Sequence, residues 1–282
     1  MNDKPIEQAS GGASKQAIGH HYDLSNDFYK LWLDDYLNYS CAHWQDGDTL
    51  ESAQLRKINH HIQQSGVTSG QRVLDIGCGW GNALQILAED YDVEAAVGLT
   101  LSEEQARWIE AKQWSKTQVY VQSWEDYEPE EKFDSIISLG VLPHFCRTEL
   151  TIEQKVAVFQ KFFKKCHSWL KPNGRIAFHC LFAGYIPPDP ENKLPSKDFL
   201  LTEIFPESDI IPLSAVLMGS EYLFEVEQVS NHTDDYRKTC RAWLNRLKAN
   251  RVQAVQVVGE ENVKRYEFFL RLAVMSFEIH SV

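Results

Sequence analysis

The sequence predicts an α/β fold: a Rossmann-type, doubly wound and mostly parallel sheet, with helical N-terminal and inserted lid segments. Three observations predict it. From residue 66 onward, short apolar runs alternate with amphipathic stretches of helical period. The first run leads straight into a glycine-rich turn, Val73 to Gly81 (VLDIGCGWG). The intervening helices are long enough for right-handed crossovers, which impose parallel pairing between successive strands.

The elements follow in order. Arg72–Ile76 reads as the first strand and Asn82–Asp90 as the helix after the glycines. Glu94–Thr100 (EAAVGLT) is the second strand, and Ser102–Ser115 a helix whose opening Ser-Glu-Glu-Gln is a capping-box signature. Gln118–Gln122 and Phe133–Leu139 are the third and fourth strands. Ile152–Leu170 is a long amphipathic helix, Lys171 to Gly174 (KPNG) a turn, and Arg175–Leu181 the fifth strand. The segments outside this alternation divide the chain. Residues 1–15 read as a disordered polar leader, 16–65 as a helical, aromatic lid, and 66–181 as the cofactor-binding core. Residues 182–235 read as an irregular inserted lid and 236–282 as C-terminal helices, all within one compact domain.

Bulk properties exclude several functions. The chain has 282 residues and 43% hydrophobic content, enough for a buried core. A formal net charge of -12 argues against nucleic acid, which demands a basic surface. Lys161, Lys164 and Lys165 form a small basic group that reads as a solvated helix face. No apolar run reaches the roughly 20 residues of a membrane span. The leader has no signal-peptide pattern, so a cytoplasmic location is expected. The six cysteines show no CxxC spacing, so reduced thiols are expected rather than disulfides or a zinc site. Oligomeric state is left open.

The glycine loop carries the first chemistry. Glycines at 77, 79 and 81 let the backbone turn tightly and approach a ligand closely. The helix start behind them favours negative groups. The spacing is G-x-G-x-G rather than the G-x-G-x-x-G of dinucleotide sites, and Asp75 precedes it. That pattern suits S-adenosylmethionine, with its carboxylate near the helix and its ammonium near the acid. Cys78 reads as a small packing residue. The second strand ends without the usual ribose-binding acid, so Thr100 and Gln105 are the polar substitutes. Ser123, Trp124 and Glu125, after the third strand, are placed to hold adenine.

Further blocks extend the pattern. These are His21 to Tyr29 (HYDLSNDFY), Leu37 to Ala42 (LNYSCA), the loop with Trp80, and Gly98 to Ser102 (GLTLS) with Gln105. Together they resemble the cyclopropane fatty acid synthase and mycolic acid methyltransferase family, across roughly residues 18 to 270. The resemblance implies a class I methyltransferase fold and S-adenosylmethionine as cofactor. It implies that Tyr39 and Ser40 close over the cofactor. Leu74, Asp75, Gly77, Cys78, Gly79, Trp80, Gly81 and Asn82 would hold the methionine part. Thr100, Leu101, Ser102 and Gln105 would hold the ribose, and Trp124 and Glu125 the adenine. It further implies a bicarbonate general base, held by positions that match Cys41, His179, Leu181 and Tyr236. Two departures stand out. The family's Glu is replaced by Pro143, which offers neither a carboxylate nor an N–H. Family members usually continue into another strand, whereas this sequence stops at Ser281-Val282.

Methyl transfer to an alkene leaves a carbocation, which aromatic faces stabilise and a base must quench. The lid segments supply Tyr22, Phe28, Tyr29, Trp32, Tyr36, Trp44, Phe182, Tyr185, Tyr222 and Phe224. His179 lies near the carboxyl end of the fifth strand and His144 just beyond the fourth, where catalytic groups are expected, and Tyr236 is placed to orient an anion. The missing Glu favours a small-molecule or secondary-metabolite acceptor methylated at nitrogen or carbon. The alternatives are a lipid alkene methylase acting on unsaturated acyl chains and a non-catalytic cofactor-binding partner subunit. Glu125, Glu203 and Glu221 are the carboxylates available to replace the missing one.

Overall fold

The computed structural model describes residues 12–14, 16, 18, 24–184 and 199–279. Five parallel strands form one sheet in the order β3-β2-β1-β4-β5. They are β1 (Arg72–Ile76), β2 (Ala95–Thr100), β3 (Thr117–Val121), β4 (Phe133–Leu139) and β5 (Leu170–His179). Every residue of β2 is buried, whereas edge strand β3 alternates half-buried and exposed positions. The helices before the C-terminal group are α1 (Asn26–Lys30), α2 (Leu50–Gln64), α3 (Asn82–Glu89), α4 (Glu103–Lys112), α5 (Ile152–Trp169) and α6 (Leu213–Ser220). That group is α7 (Thr233–Ala249), α8 (Arg251–Val258) and α9 (Glu260–Glu278).

The expected alternation is present, with three local differences. Lys171 to Gly174 is not a separate turn before β5 but a bulge within it. Leu170 pairs with Phe133 and Arg175 with Ser135, so the intervening residues loop out, with Asn173 at φ 63°. The capping box of α4 is half formed. Ser102 accepts from the Gln105 N–H, but the Gln105 amide oxygen instead accepts from Thr100 Oγ1 at 2.7 Å. The segment expected to be irregular contains α6. Gly219 of α6 packs so closely on α5 that an added Cβ would lie 2.5 Å from Phe159.

Apolar side chains gather in three clusters. One lies between the sheet and α5 with α6, around Phe159, Phe162 and Phe163. The second lies on the side of α2 and α3, around Ile58, Ile62, Leu84 and Leu87. The third joins the N-terminal segment to α7, α8 and α9 through Phe28, Tyr29, Trp32, Trp243 and Tyr266. Edge-to-face contacts such as Trp32 against Trp243, 5.9 Å apart at 78°, hold it together. Trp80 of the glycine loop enters this third cluster and donates through Nε1 to Asn26 Oδ1 at 2.7 Å. The N-terminal segment is thereby anchored at the carboxyl end of β1, where ligands bind in open parallel sheets.

Candidate active site

The glycine loop closes back on β2: the N–H groups of Gly77 and Cys78 both donate to the Leu99 carbonyl, at 2.9 and 3.0 Å. Around it lies a cavity of about 630 Å³. Of the residues expected at the cofactor, Tyr39, Ser40, Asp75, Gly77, Cys78, Gly79, Trp80, Asn82, Thr100, Leu101, Gln105, Ser123, Trp124 and Glu125 line it. Leu74, Gly81 and Ser102 do not. Leu74 is in the sheet core, Gly81 caps α3 in the left-handed conformation, and Ser102 caps α4. They support the loop from behind.

A buried polar web underlies the cavity. Asp34 accepts from the Asn38 backbone and side chain at 2.7 and 2.6 Å. Asn82 donates to Asn38 Oδ1 at 3.2 Å, tying α3 to the N-terminal segment. Lys57 is fully buried and donates from Nζ to Ser40 Oγ at 2.9 Å. Burial draws its ammonium down to about 8, and burial pushes the Asp75 carboxyl up to about 7 against the pull of Lys57. Asp75 Oδ1 is buried without a hydrogen-bond partner among the described residues. A buried oxygen left unpaired costs about 1–3 kcal/mol, so it marks a place for a donor from a ligand. An ammonium beside Asp75 and a carboxylate beside Lys57 would complete this web, so the residues fit the amino-acid end of S-adenosylmethionine. Lys57 carries no sequence signal, because a lysine on an amphipathic helix ordinarily faces water.

This fit has a pH consequence. An ammonium is held by ionised Asp75, and its binding lowers the carboxyl from its free value of about 7. Affinity for S-adenosylmethionine is therefore expected to be full above that pH and to fall about tenfold per unit below it. Calorimetric titration across this range measures it; a flat profile would remove Asp75 from the ammonium.

Adenine-side residues divide their duties. Trp124 lines the cavity and also packs on Phe145 and edge-on to Phe162, at 5.1 and 5.3 Å. Glu125 is paired with Lys161 at 2.7 Å, and Lys165 with Glu128 at 2.8 Å, so these lysines are committed to neighbouring acids.

The expected catalytic residues separate. Cys41, His179 and Tyr236 line a second cavity of about 1330 Å³, together with Leu181. His144 lines the cofactor cavity instead, with Nδ1 at 2.7 Å from Ser208 Oγ. Burial draws it down to about 4, so it is neutral. The two cavities approach each other where the consecutive residues Ser40 and Cys41 line one and the other, and where the Gly140 N–H on the cofactor side donates to the His179 carbonyl on the acceptor side at 2.8 Å. Burial holds the Cys41 thiol well above its ordinary value, which keeps it protonated. Pro143 lines neither cavity; its carbonyl accepts from the Asp209 N–H at 3.0 Å.

Most of the expected aromatic cage is elsewhere. Phe28, Tyr29 and Trp32 are wholly buried in the third cluster, Trp44 donates to Thr239, and Tyr222 is fully exposed. Tyr36 lines the cofactor cavity. Phe182 and Phe224 do line the second cavity, with Phe163, Phe178 and Phe277. Tyr22 and Tyr185 lie outside the described residues.

Comparison with known proteins agrees with this geometry. The family model for mycolic acid cyclopropane synthetase matches residues 10–282. Cyclopropane mycolic acid synthase 2 of Mycobacterium tuberculosis is 33% identical over 274 residues, covering 91% of this chain and 88% of that protein. Its namesake in Mycobacterium leprae is 34% identical, covering 90% and 87%. The crystal structure of a mycolic acid cyclopropane synthase complexed with SAH and CTAB superposes with a TM-score of 0.84 at 31% identity, covering 96% of this chain and 95% of that one. Coclaurine N-methyltransferase, at 19% identity and a TM-score of 0.78, shares the fold. From the cofactor loop to the C-terminal helices, this chain belongs to the mycolic acid cyclopropane synthetase family.

Proposed function

We propose that this chain is an S-adenosylmethionine-dependent transferase that adds a one-carbon unit to the double bond of an unsaturated acyl chain, giving a methylated or cyclopropanated lipid. The observation that carries this is the second cavity. Its roughly 1330 Å³ exceeds the ~300–1,000 Å³ of ordinary small-molecule pockets. Its walls include Phe163, Ile176, Phe178, Phe182, Val216 and Phe224. Lys171 and Arg175 lie on the same cavity but are paired with Asp134 and Glu227, at 2.8 and 3.1 Å, so the apolar walls carry the lipid reading. The relatives' names specify mycolic acid, a lipid. The small-molecule acceptor favoured from the missing Glu gains no support from these relatives, and the cavity is larger than it needs.

When bound, S-adenosylmethionine supplies an electrophilic methyl group. Asp75 and Lys57 would bracket its amino-acid end, Thr100 and Gln105 would face the ribose, and Trp124 the adenine. His179, Cys41 and Tyr236 would face the acceptor from the second cavity. The chain's task is to hold the alkene in line with the methyl group and keep water from the cation that results.

Mass spectrometry after incubation with labelled S-adenosylmethionine tests this. Unsaturated phospholipids and acyl chains form one pool, amines and prenyl-type small molecules the other. Lipids heavier by one CH₂ are expected. Label only in the small-molecule pool would overturn the lipid reading.

A further inference from the structure

Four histidines outside every motif share a cavity with His179. His60 and His61 lie in the last turns of α2, His43 follows Cys41, and His232 precedes α7. All five line the acceptor cavity. The His179 and His61 rings lie 5.6 Å apart with planes at 17°, and His61 is 5.5 Å from His43. His43 stacks on His232 at 3.9 Å and 8°. His232 Nδ1 then meets Asp235 Oδ2 at 3.0 Å. Neighbouring imidazoles, with ring centroids 3.9 to 5.6 Å apart, thus lead from the strand end to a partly exposed carboxylate.

The tautomer of His61 follows from its partner. Its Nδ1 lies 2.8 Å from the Lys57 carbonyl, which can only accept, so Nδ1 carries the proton and Nε2 the lone pair. His179 Nδ1 is buried without a hydrogen-bond partner among the described residues.

The bicarbonate implied by the family resemblance fits this site poorly. Pro143 brings no carboxylate and lines neither cavity. Glu125 lines the cofactor cavity, while Glu203 and Glu221 are exposed and line neither. None of these three lies on the acceptor cavity, and the two glutamates that do, Glu225 and Glu227, are exposed, with Glu227 paired to Arg175 at 3.1 Å. We propose that the base is the imidazole run itself: His61 receives the proton beside His179, and His43, His232 and Asp235 pass it outward through water. This rests on the alkene reading given above.

The step balances. The alkene π pair forms the bond to the methyl carbon, and the S–CH₃ bond breaks to leave S-adenosylhomocysteine. A C–H bond of the resulting cation then breaks. Its electron pair closes the ring or forms a new double bond, and the proton goes to His61 Nε2. A C–H beside a carbocation is so acidic that a weak base suffices. A neutral base also avoids the cost of burying a charge. The titratable groups facing His61 are Lys57 and His60 on its own helix, His43 on the N-terminal loop, His179 on β5 and His232 before α7. Burial, with Lys57 and the other rings, holds His61 down at about 4 and His43 at about 3, so both stay neutral near neutrality.

The test uses the full chain, S-adenosylmethionine and detergent-dispersed dioleoylphosphatidylglycerol, in buffer freed of carbon dioxide or supplied with bicarbonate. With S-adenosylmethionine kept saturating, so that the Asp75 affinity loss does not enter, wild type is expected to turn over equally in both and to lose maximal rate only as pH falls toward about 4. His61→Asn should keep its cofactor affinity and lose about 100-fold in methylene-bearing product. Part of its turnover should divert to lipid heavier by the elements of methanol, from water capturing the cation. His43→Phe, which keeps the stack but removes the nitrogens, should move the same way if His61→Asn fails to fold. A wild-type rate that collapses without bicarbonate, or a His61→Asn variant with normal rate and product, would overturn the imidazole base. A wild type that leaves every unsaturated lipid unmodified would instead sink the alkene reading, and this base with it.

Discussion

Replacing Gly79 by valine is expected to remove S-adenosylmethionine binding, weakening it at least ~100-fold, while the chain stays folded. Gly79 has φ +55°, and a Cβ built on it meets nothing within 4 Å. That open space is the cofactor cavity. Valine would put three carbons into this cavity, which Asp75 also lines. The left-handed backbone costs a branched residue about 1–3 kcal/mol. A fold stable by roughly 5–15 kcal/mol survives that, with a melting point lowered by a few degrees. The neighbouring glycines would not give so clean a result. At Gly77 an added Cβ lies 2.7 Å from Val141, and at Gly81 it lies 2.7 Å from Ile109, so substitution there damages packing. Calorimetry with S-adenosylmethionine, alongside a thermal scan, separates the two effects. Gly79→Ala, with nearly the same strain and less bulk, should lose less affinity than valine. Unchanged affinity in the valine variant would mean that the cofactor lies elsewhere.

The sheet was legible because its signals are local. β2 is apolar throughout since both faces are covered, and the start of α5 is written in Thr151 and Gln154, which form a complete capping box. The glycine spacing and Asp75 announced the cofactor loop for the same reason. α6 was not legible: Leu213–Ser220 is apolar on most sides, because it packs onto α5, so it lacks a polar stripe of helical period. Leu74, Gly81 and Ser102 were assigned to the ligand because loops are read as whole units. Which face of the loop meets the cavity depends on α3 and α4 packing behind it.

The imidazole run could not be read at all. His43, His61, His179 and His232 come from four segments, the outermost 189 positions apart in the sequence. No spacing rule joins them; α2 and α7 must first pack around β5. Lys57 was hidden in the same way. Its burial follows from α2 lying against the glycine loop and the Ser40 turn, and only there does it gain Asp34 and Asp75 as counter-charges. Lys57 on the cofactor cavity and the histidines on the acceptor cavity thus become site residues only through tertiary packing.

His179→Ala is expected to lower turnover by about 100- to 1,000-fold, with affinity for S-adenosylmethionine changed less than about twofold. The side chain faces the acceptor cavity, and the cofactor cavity is met only through the backbone, whose carbonyl accepts from Gly140. Alanine keeps that hydrogen bond, so the wall between the cavities stands. What disappears is the ring packed against His61 on one side and, at 6.3 Å, Tyr236 on the other. Without it, His61 loses its neighbour, water gains room beside the reacting carbon, and the cation is captured before its proton can leave. The variant should therefore share the water-captured product of His61→Asn. Combining the two substitutions should cost less than the product of the single losses, because residues that act as a unit are not additive. Full additivity would separate the two rings into independent roles. A large loss of cofactor affinity in His179→Ala alone would move His179 from the acceptor side to the cofactor site.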